Sequence, residues 1–338
     1  MKLIRTEDAV GQVLCHDMTQ IIPGEFKGPR FRKGHIVTEE DIPVLLSMGK
    51  ENLYVWELKP GVLHENDAAE RLCALCLGDG MTRSEAKEGK IELTAARDGL
   101  FAVDSEKLAA VNSIDEIIIA TRHSGPVKAG DRLCGTRVIP LVVAEEKLAR
   151  AEAAAAGEPI LRLLPYRLRT AAIVVTGSEV KKGLIQDAFT PVVKEKLAAY
   201  GIGTVAELRS GDGVENVKNG VLAMREKRPD LILCTGGMSV DPDDNTPGGI
   251  RASGAEIVTY GAPVLPGAMF LLGYFGDGTP VVGLPGCVMY AKTTIFDLVL
   301  PRLAAGVRMS RRDFVAMGEG GLCLGCQPCR YPVCPFGK

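Results

Sequence analysis

The chain has 338 residues, 46% of them apolar, and a formal net charge of −2. That length allows two or three domains, each burying its own core. The near-neutral charge offers no electrostatic hold on nucleic acid, and no apolar run is long enough to span a membrane. The first residues, Met1-Lys2-Leu3-Ile4-Arg5-Thr6-Glu7-Asp8, lack the apolar core and cleavage site of a secretory signal, so a cytoplasmic location is expected. Ten cysteines are present, and Cys323, Cys326, Cys329 and Cys334 crowd the C-terminus. In a cytoplasmic chain such crowding points to metal rather than to disulfides.

Residues 1–58 read as a small α+β unit. Phe31 to Val37 is strand-like, and Thr38 followed by Glu39, Glu40 and Asp41 suits a helix start. Ile42, Leu45, Leu46 and Met48 keep a helical period, Gly49 stops the helix, and Asn52 to Trp56 forms another strand. His35 beside a Lys-Gly turn is left without a functional role.

Residues 59–165 read as a β-rich middle domain ending in a linker helix. A helix is expected over 68–77, with Cys73 and Cys76 as small buried side chains. Ile91 to Thr94 and Leu100 to Val103 flank Asp98-Gly99 and predict a hairpin. More β segments follow over 117–143. The Ala/Glu/Lys-rich stretch 144–156 is helical and closes at Gly157 and Pro159.

From 166 to 306 the pattern changes to α/β. Ala171 to Val175, Thr204 to Leu208, Asp230 to Cys234, Ile257 to Tyr260 and Pro280 to Leu284 read as strands. Helices are expected over 187–200, 214–228, 247–253 and 290–303. Strands alternating with helices imply right-handed crossovers and a mainly parallel, doubly wound sheet. In such sheets ligands bind at the carboxyl ends of the strands.

Glycine-containing turns fall at those ends. They are Thr176-Gly177-Ser178-Glu179, Ser210-Gly211-Asp212, Thr235-Gly236-Gly237-Met238-Ser239 and Gly283-Leu284-Pro285-Gly286-Cys287, with Leu265-Pro266-Gly267-Ala268 as a fifth turn of similar kind. Glycines allow positive φ and close backbone approach, and successive N–H groups in such turns can cradle an anion. Asp241, Asp243 and Asp244 follow the third turn, ahead of Thr246-Pro247. Singly, each turn is also what any strand-to-helix connection uses.

In this order the turns resemble the molybdopterin-binding proteins of molybdenum-cofactor biosynthesis, with a MoaB/Mog-like domain at 166–306. The nearest branch is the molybdenum insertase of MoeA or gephyrin E-domain type. Thr235-Gly236-Gly237-Met238-Ser239 with Asp244 resembles its binding signature, and the Lys33-Gly34-His35 region resembles its N-terminal part. Asp241 stands where the insertase has Gly, and Cys287-Val288 where it has Asn-Pro. Asp98-Gly99-Leu100-Phe101-Ala102 does not supply the insertase Asp-Gly-Tyr-Ala.

The resemblance implies that molybdopterin, or its adenylylated form, meets Thr176, Gly177, Ser178, Thr235, Gly236, Gly237, Met238, Ser239, Pro266, Gly267, Pro285 and Gly286. It gives Glu179, Asp212 and Asp244 catalytic roles, holding Mg²⁺ or positioning molybdate; Asp212 equally suits a helix N-cap. A homodimer and a recipient molybdoenzyme or cofactor-pathway protein are implied as partners. Three functions stay open: molybdate insertion, a non-catalytic cofactor carrier or sensor, and adenylyl transfer, which Asp244-Asn245-Thr246-Pro247 resembles.

No part of that family resembles 307–338. There Cys323, Cys326, Cys329 and Cys334 read C-x₂-C-x₂-C-x₄-C followed by Pro335. This spacing differs by one residue from the bacterial ferredoxin run and favours a [4Fe–4S] cluster. A structural Zn²⁺ is the main alternative, and a metal-free or redox tail the third. Because all four ligands are local, the centre is expected to be an accessory to the pterin turns.

Overall fold

A computed structural model describes residues 2–55, 60–177, 184, 186–239 and 245–338. The chain divides into two compact units. One comprises Met1–Ala96, Val103–Arg122 and Gly130–Arg162; the other comprises Arg97–Ala102, His123–Ala129 and Leu163–Lys338. No helix among the described residues is long and apolar enough to cross a membrane.

The first unit holds a four-stranded antiparallel sheet in the order Met81–Arg83, Lys90–Ala95, Arg132–Val138, Ile117–Thr121. Helix Glu65–Ala74 carries Cys73, and Cys76 follows it; both are fully buried, in keeping with a packing role. A helix at Ser105–Asn112, which has no clear apolar period, joins the expected elements. Three sequence expectations change. The strand near the N-terminus is Phe26–Phe31, ending where 31–37 was expected to begin. Helix Asp41–Ser47 starts three residues beyond Thr38, because Asp41 turns back to accept hydrogen bonds from the Thr38 N–H and hydroxyl.

The third is the hairpin around Asp98-Gly99, which does not form. Lys90–Ala95 stays in the four-stranded sheet, whereas Gly99–Val103 pairs with Gly125–Val127 in a separate sheet that also contains Leu161–Leu164. Asp98 explains the departure: its carboxylate accepts the Ala129 N–H at 2.9 Å and Lys128 Nζ at 2.7 Å. The chain is thereby tied to a strand far along the sequence instead of turning back on itself.

The second unit is built on a six-stranded sheet ordered Gly203–Ser210, Thr170–Thr176, Leu231–Thr235, Pro280–Leu284, Leu271–Tyr274, Glu256–Tyr260. The first four strands are parallel, and only Leu271–Tyr274 opposes its neighbours. The sheet is therefore mainly parallel. Strand Leu271–Tyr274 escaped the sequence reading because its apolar run is short and adjoins a glycine-containing turn. Along Thr170–Thr176 successive side chains serve opposite cores. Ala171, Ile173 and Val175 pack with helices Phe189–Ala198 and Ile295–Ala304, while Ala172 and Val174 pack with Val214–Arg225 and Thr246–Ala252. Helices on both faces make the domain doubly wound. Leu231, Ile232, Leu233 and Cys234 are wholly buried, as a strand covered on both sides must be. The last helix of the sheet domain begins at Ile295 rather than 290, because Thr294 and Asp297 form a capping box.

Asp230 sets the register of the two central strands. Its Oδ2 accepts the Arg169 N–H at 2.8 Å, the Thr170 N–H at 2.9 Å and the Thr170 hydroxyl at 2.9 Å. Burial raises the Asp230 pKa, but these hydrogen bonds together outweigh it and hold the carboxyl below its ordinary value. A depressed carboxyl contributes stability above its unfolded pKa of about 3.9. That contribution is lost as pH falls through the folded value. Asp230→Asn is therefore expected to cost about 1.5–3 kcal/mol at pH 7, with the gap to the parent shrinking below about pH 4. Urea midpoints at pH 7 and pH 3 check this; a gap independent of pH would show that charge is not what matters.

Candidate functional site

The turn after the central strand Leu231–Thr235 is shaped by two glycines in left-handed backbone, Gly236 at φ 87° and Gly237 at φ 60°. A Cβ on Gly236 would stand 2.6 Å from the Thr176 carbonyl oxygen, and one on Gly237 2.5 Å from Thr246 Oγ1. The chain is thus pressed against its neighbours on one side and opens into a cleft on the other. Thr176 is the strut behind it: its hydroxyl donates to the Thr235 carbonyl at 2.9 Å and lies 3.1 Å from Thr246 Oγ1.

This cleft, of about 500 Å³, is lined by Gly236 through Ser239, by Gly267 through Met269, and by Pro285-Gly286-Cys287 with Met289 and Tyr290. Three of the five turns named from sequence therefore meet. Met238, 3% exposed, makes the floor. Its sulfur packs on Gly283, where a Cβ would come within 2.6 Å. Ser239 is at the surface, and Tyr260 Oη donates to the Met238 carbonyl at 3.2 Å. Gly267 has φ 124°, and a Cβ there would meet Ile295 Cγ2 at 2.5 Å.

Thr176, Gly177, Thr235 and Pro266 lie outside the cleft lining. The Pro266 carbonyl accepts the Ile295 N–H at 3.2 Å and so backs the Gly267 wall. Thr235 is 1% exposed, and its hydroxyl has no partner among the described residues. Asp212 is in the turn before Val214–Arg225, where Gly213 takes the N-cap position and the Asp212 carbonyl accepts Asn216 Nδ2 at 2.7 Å. Ser178, Glu179 and Asp244 lie outside the described residues. Sequence reasoning named Ala268 and Cys287 within the turns without giving them contact roles, and did not include Met269, Met289 and Tyr290. Each closely follows a named Pro-Gly turn, and that adjacency was the available signal. Burial raises the Cys287 thiol pKa, so at neutral pH it is a soft, uncharged wall.

No charged side chain is among the described residues lining the cleft. Small residues, thioethers and one exposed tyrosine suit a flat, polarisable ring. Among the described lining residues, backbone N–H groups of the glycine turns are the groups able to meet an anion there.

The C-terminal cysteines form a second place of interest in this unit. Cys323, Cys326, Cys329 and Cys334 are free thiols that line one cavity of about 180 Å³. Cys329 Sγ lies 3.2 Å from Thr293 Oγ1. That hydrogen bond, followed by one from the Tyr331 backbone, lowers the thiol pKa. Among the described residues no three His, Cys, Asp or Glu side chains converge as ligands of a single ion. His35, left without a role, bonds Asp41 Oδ2 at 2.7 Å in the first unit.

The sheet order and this cleft at the carboxyl ends of parallel strands define a doubly wound ligand-binding domain. Residues 172–305 match the family described as "Probable molybdopterin binding domain". Residues 3–57 match a domain of unknown function. A protein of Bacillus cereus (strain AH187) named as competence-damage inducible is 31% identical over 90 residues, which are 27% of this chain and 22% of that protein. The chain thus spans under a quarter of the length of the curated relatives it matches. Among solved structures, the molybdopterin biosynthesis enzyme MoaB of Thermus thermophilus is 20% identical, with 41% of this chain and 98% of that one covered at a TM-score of 0.34. The molybdopterin biosynthesis MoeA protein of Pyrococcus horikosii is 14% identical, with 90% and 75% covered at a TM-score of 0.34.

Proposed function

We propose that the cleft binds molybdopterin, in free or adenylylated form, and that the chain inserts molybdate into it. One observation carries the reading: Gly236 to Ser239, Gly267 and Pro285-Gly286 surround one cleft in the matched domain, with no charged side chain among its described lining residues. The glycine turns would hold the phosphate through backbone N–H groups. The methionines and Tyr290 would face the ring. Glu179, Asp212 and Asp244 would hold Mg²⁺ and position molybdate. On insertion water cleaves the anhydride between AMP and the pterin phosphate and AMP leaves, while the two dithiolene sulfurs bind the metal as one molybdate oxygen departs as water with the two thiol protons, the metal keeping its oxidation state. Ser178, Thr176, Gly177, Thr235, Met238 and Pro266 would shape or back the cleft.

The same reading keeps the division 1–58, 59–165, 166–306 and 307–338, a homodimer, and a recipient molybdoenzyme. It also assigns the four tail cysteines to a metal centre, an iron–sulfur cluster by their spacing.

A carrier is the second reading, favoured by Asp98. The nearest string to the insertase Asp-Gly-Tyr-Ala has its carboxylate engaged by Lys128 and the Ala129 N–H. The test is AMP release from adenylylated molybdopterin on adding molybdate and Mg²⁺. Asp244→Asn is expected to slow release at least about tenfold while changing affinity little, as for a group acting mainly in the transition state. Binding without AMP release selects the carrier. AMP transfer from ATP to free molybdopterin selects the adenylyltransferase.

A further inference from the structure

We propose that Cys323, Cys326, Cys329 and Cys334 ligate one [4Fe–4S] cluster in the C-terminal cavity, and that loading this cluster tightens the pterin cleft beside it. The second half rests on the pterin reading; the first does not.

The loop is arranged to hold a centre in place. The Gly337 N–H donates to the Gly320 carbonyl at 2.9 Å, closing the loop at its base. Phe336 is 3% exposed and belongs to the domain core, and Tyr331 Oη donates to the Asp297 carbonyl at 2.7 Å. Both stems are therefore fixed before any metal arrives, which reduces the entropy lost on ligation. Between them the four cysteines line a cavity whose other walls include Leu324, Val333 and Phe336. A zinc ion would draw its sulfurs to within about 2.3 Å of one point. A cluster instead takes its four thiolates on four separate irons, one at each iron corner, which suits four cysteines lining one cavity without converging on a single point.

The coupling follows from two contacts. Leu265 donates its N–H to the Gly321 carbonyl at 2.8 Å and accepts the Cys323 N–H at 2.8 Å. Two residues on, Gly267 lines the pterin cleft. Thr293, hydrogen-bonded to Cys329 Sγ, lies three residues past Tyr290, the end of the other cleft wall. Each wall is thus one short step from a ligand. Ligation that fixes Cys323 and Cys329 restrains both walls, and by linkage a bound pterin strengthens cluster retention equally.

Loading is by exchange. The four protein thiols give up their protons to the departing small thiolates of a preformed [4Fe–4S] complex as four new iron–sulfur bonds form. No oxidation-state change is needed.

The experiment uses the full chain under anaerobic conditions. It is loaded from a synthetic thiolate-ligated [4Fe–4S] complex and compared with stripped protein. We expect about four iron and four sulfide per chain and molybdopterin bound about tenfold or more tighter in the loaded form. Cys326→Ser, at an exposed position, should neither retain the cluster nor show the tightening, while binding pterin as the stripped parent does. Amide exchange at 265–269 and 286–293 should slow on loading, a readout that needs no pterin. Retention of one zinc and no cluster overturns the metal assignment. Equal pterin affinity with and without the cluster overturns the coupling. If pterin binds neither form, the pterin reading fails, while slowed exchange still establishes the link between cluster and cleft walls.

Discussion

Ser239→Trp is expected to weaken molybdopterin binding at least about a hundredfold, a loss near 3 kcal/mol, while leaving the fold intact. Ser239 is exposed at the end of the Gly236-Gly237 turn and lines the cleft. An indole there has room to stand in the cleft opening without entering the core, so the effect falls on the ligand. Fluorescence titration with molybdopterin, alongside a thermal melt, separates the two. Unchanged affinity with an unchanged melt would remove this cleft as the pterin site. Ser239→Ala is the control for bulk, with an expected loss far smaller than that of the indole.

Gly236→Ala should act on the fold itself. The position has φ 87°, and its Cβ would lie 2.6 Å from a backbone oxygen, that of Thr176. A flexible side chain could yield; a carbonyl at the end of a buried strand cannot without moving the strand. Strain of about 1–3 kcal/mol for the left-handed conformation adds to the overpacking, typically about 1–3 kcal/mol. A total near 3 kcal/mol should lower the melting midpoint by roughly 6–12 °C. It should also misplace Gly237 to Ser239 and weaken pterin binding. A melt within a degree of the parent would show that the turn is free to relax, and that its glycine serves the ligand alone.

The α/β half was legible because its strands are covered on both sides. Burial demands continuous apolar runs such as Leu231 to Cys234, and the polar turn after each run marks the strand end where ligands collect. Leu271–Tyr274 was harder: a four-residue antiparallel strand has neither the length nor the alternation that separates it from a loop. The small antiparallel sheets were less legible for the same reason. Nothing local at Asp98-Gly99 distinguishes a hairpin turn from a crossing between sheets. The decision lies with Asp98 and its partners Lys128 and Ala129, some thirty residues away.

Sequence alone determined the alternating architecture, the order of the glycine turns, the family they resemble and the clustering of four cysteines. Each of these is carried by residues close together in the chain. Tertiary structure decided which turns meet. It set Met269, Cys287, Met289 and Tyr290 beside Gly236 to Ser239, made Thr176 a strut behind the cleft, and gave the N-cap beside Asp212 to Gly213. It also joined the cysteine loop to both cleft walls through Leu265 and Thr293. The spacing of the cysteines had suggested a separate accessory centre. Local spacing reports only which ligands can share a metal; what that metal restrains depends on hydrogen bonds between segments far apart in the chain, which no local pattern encodes.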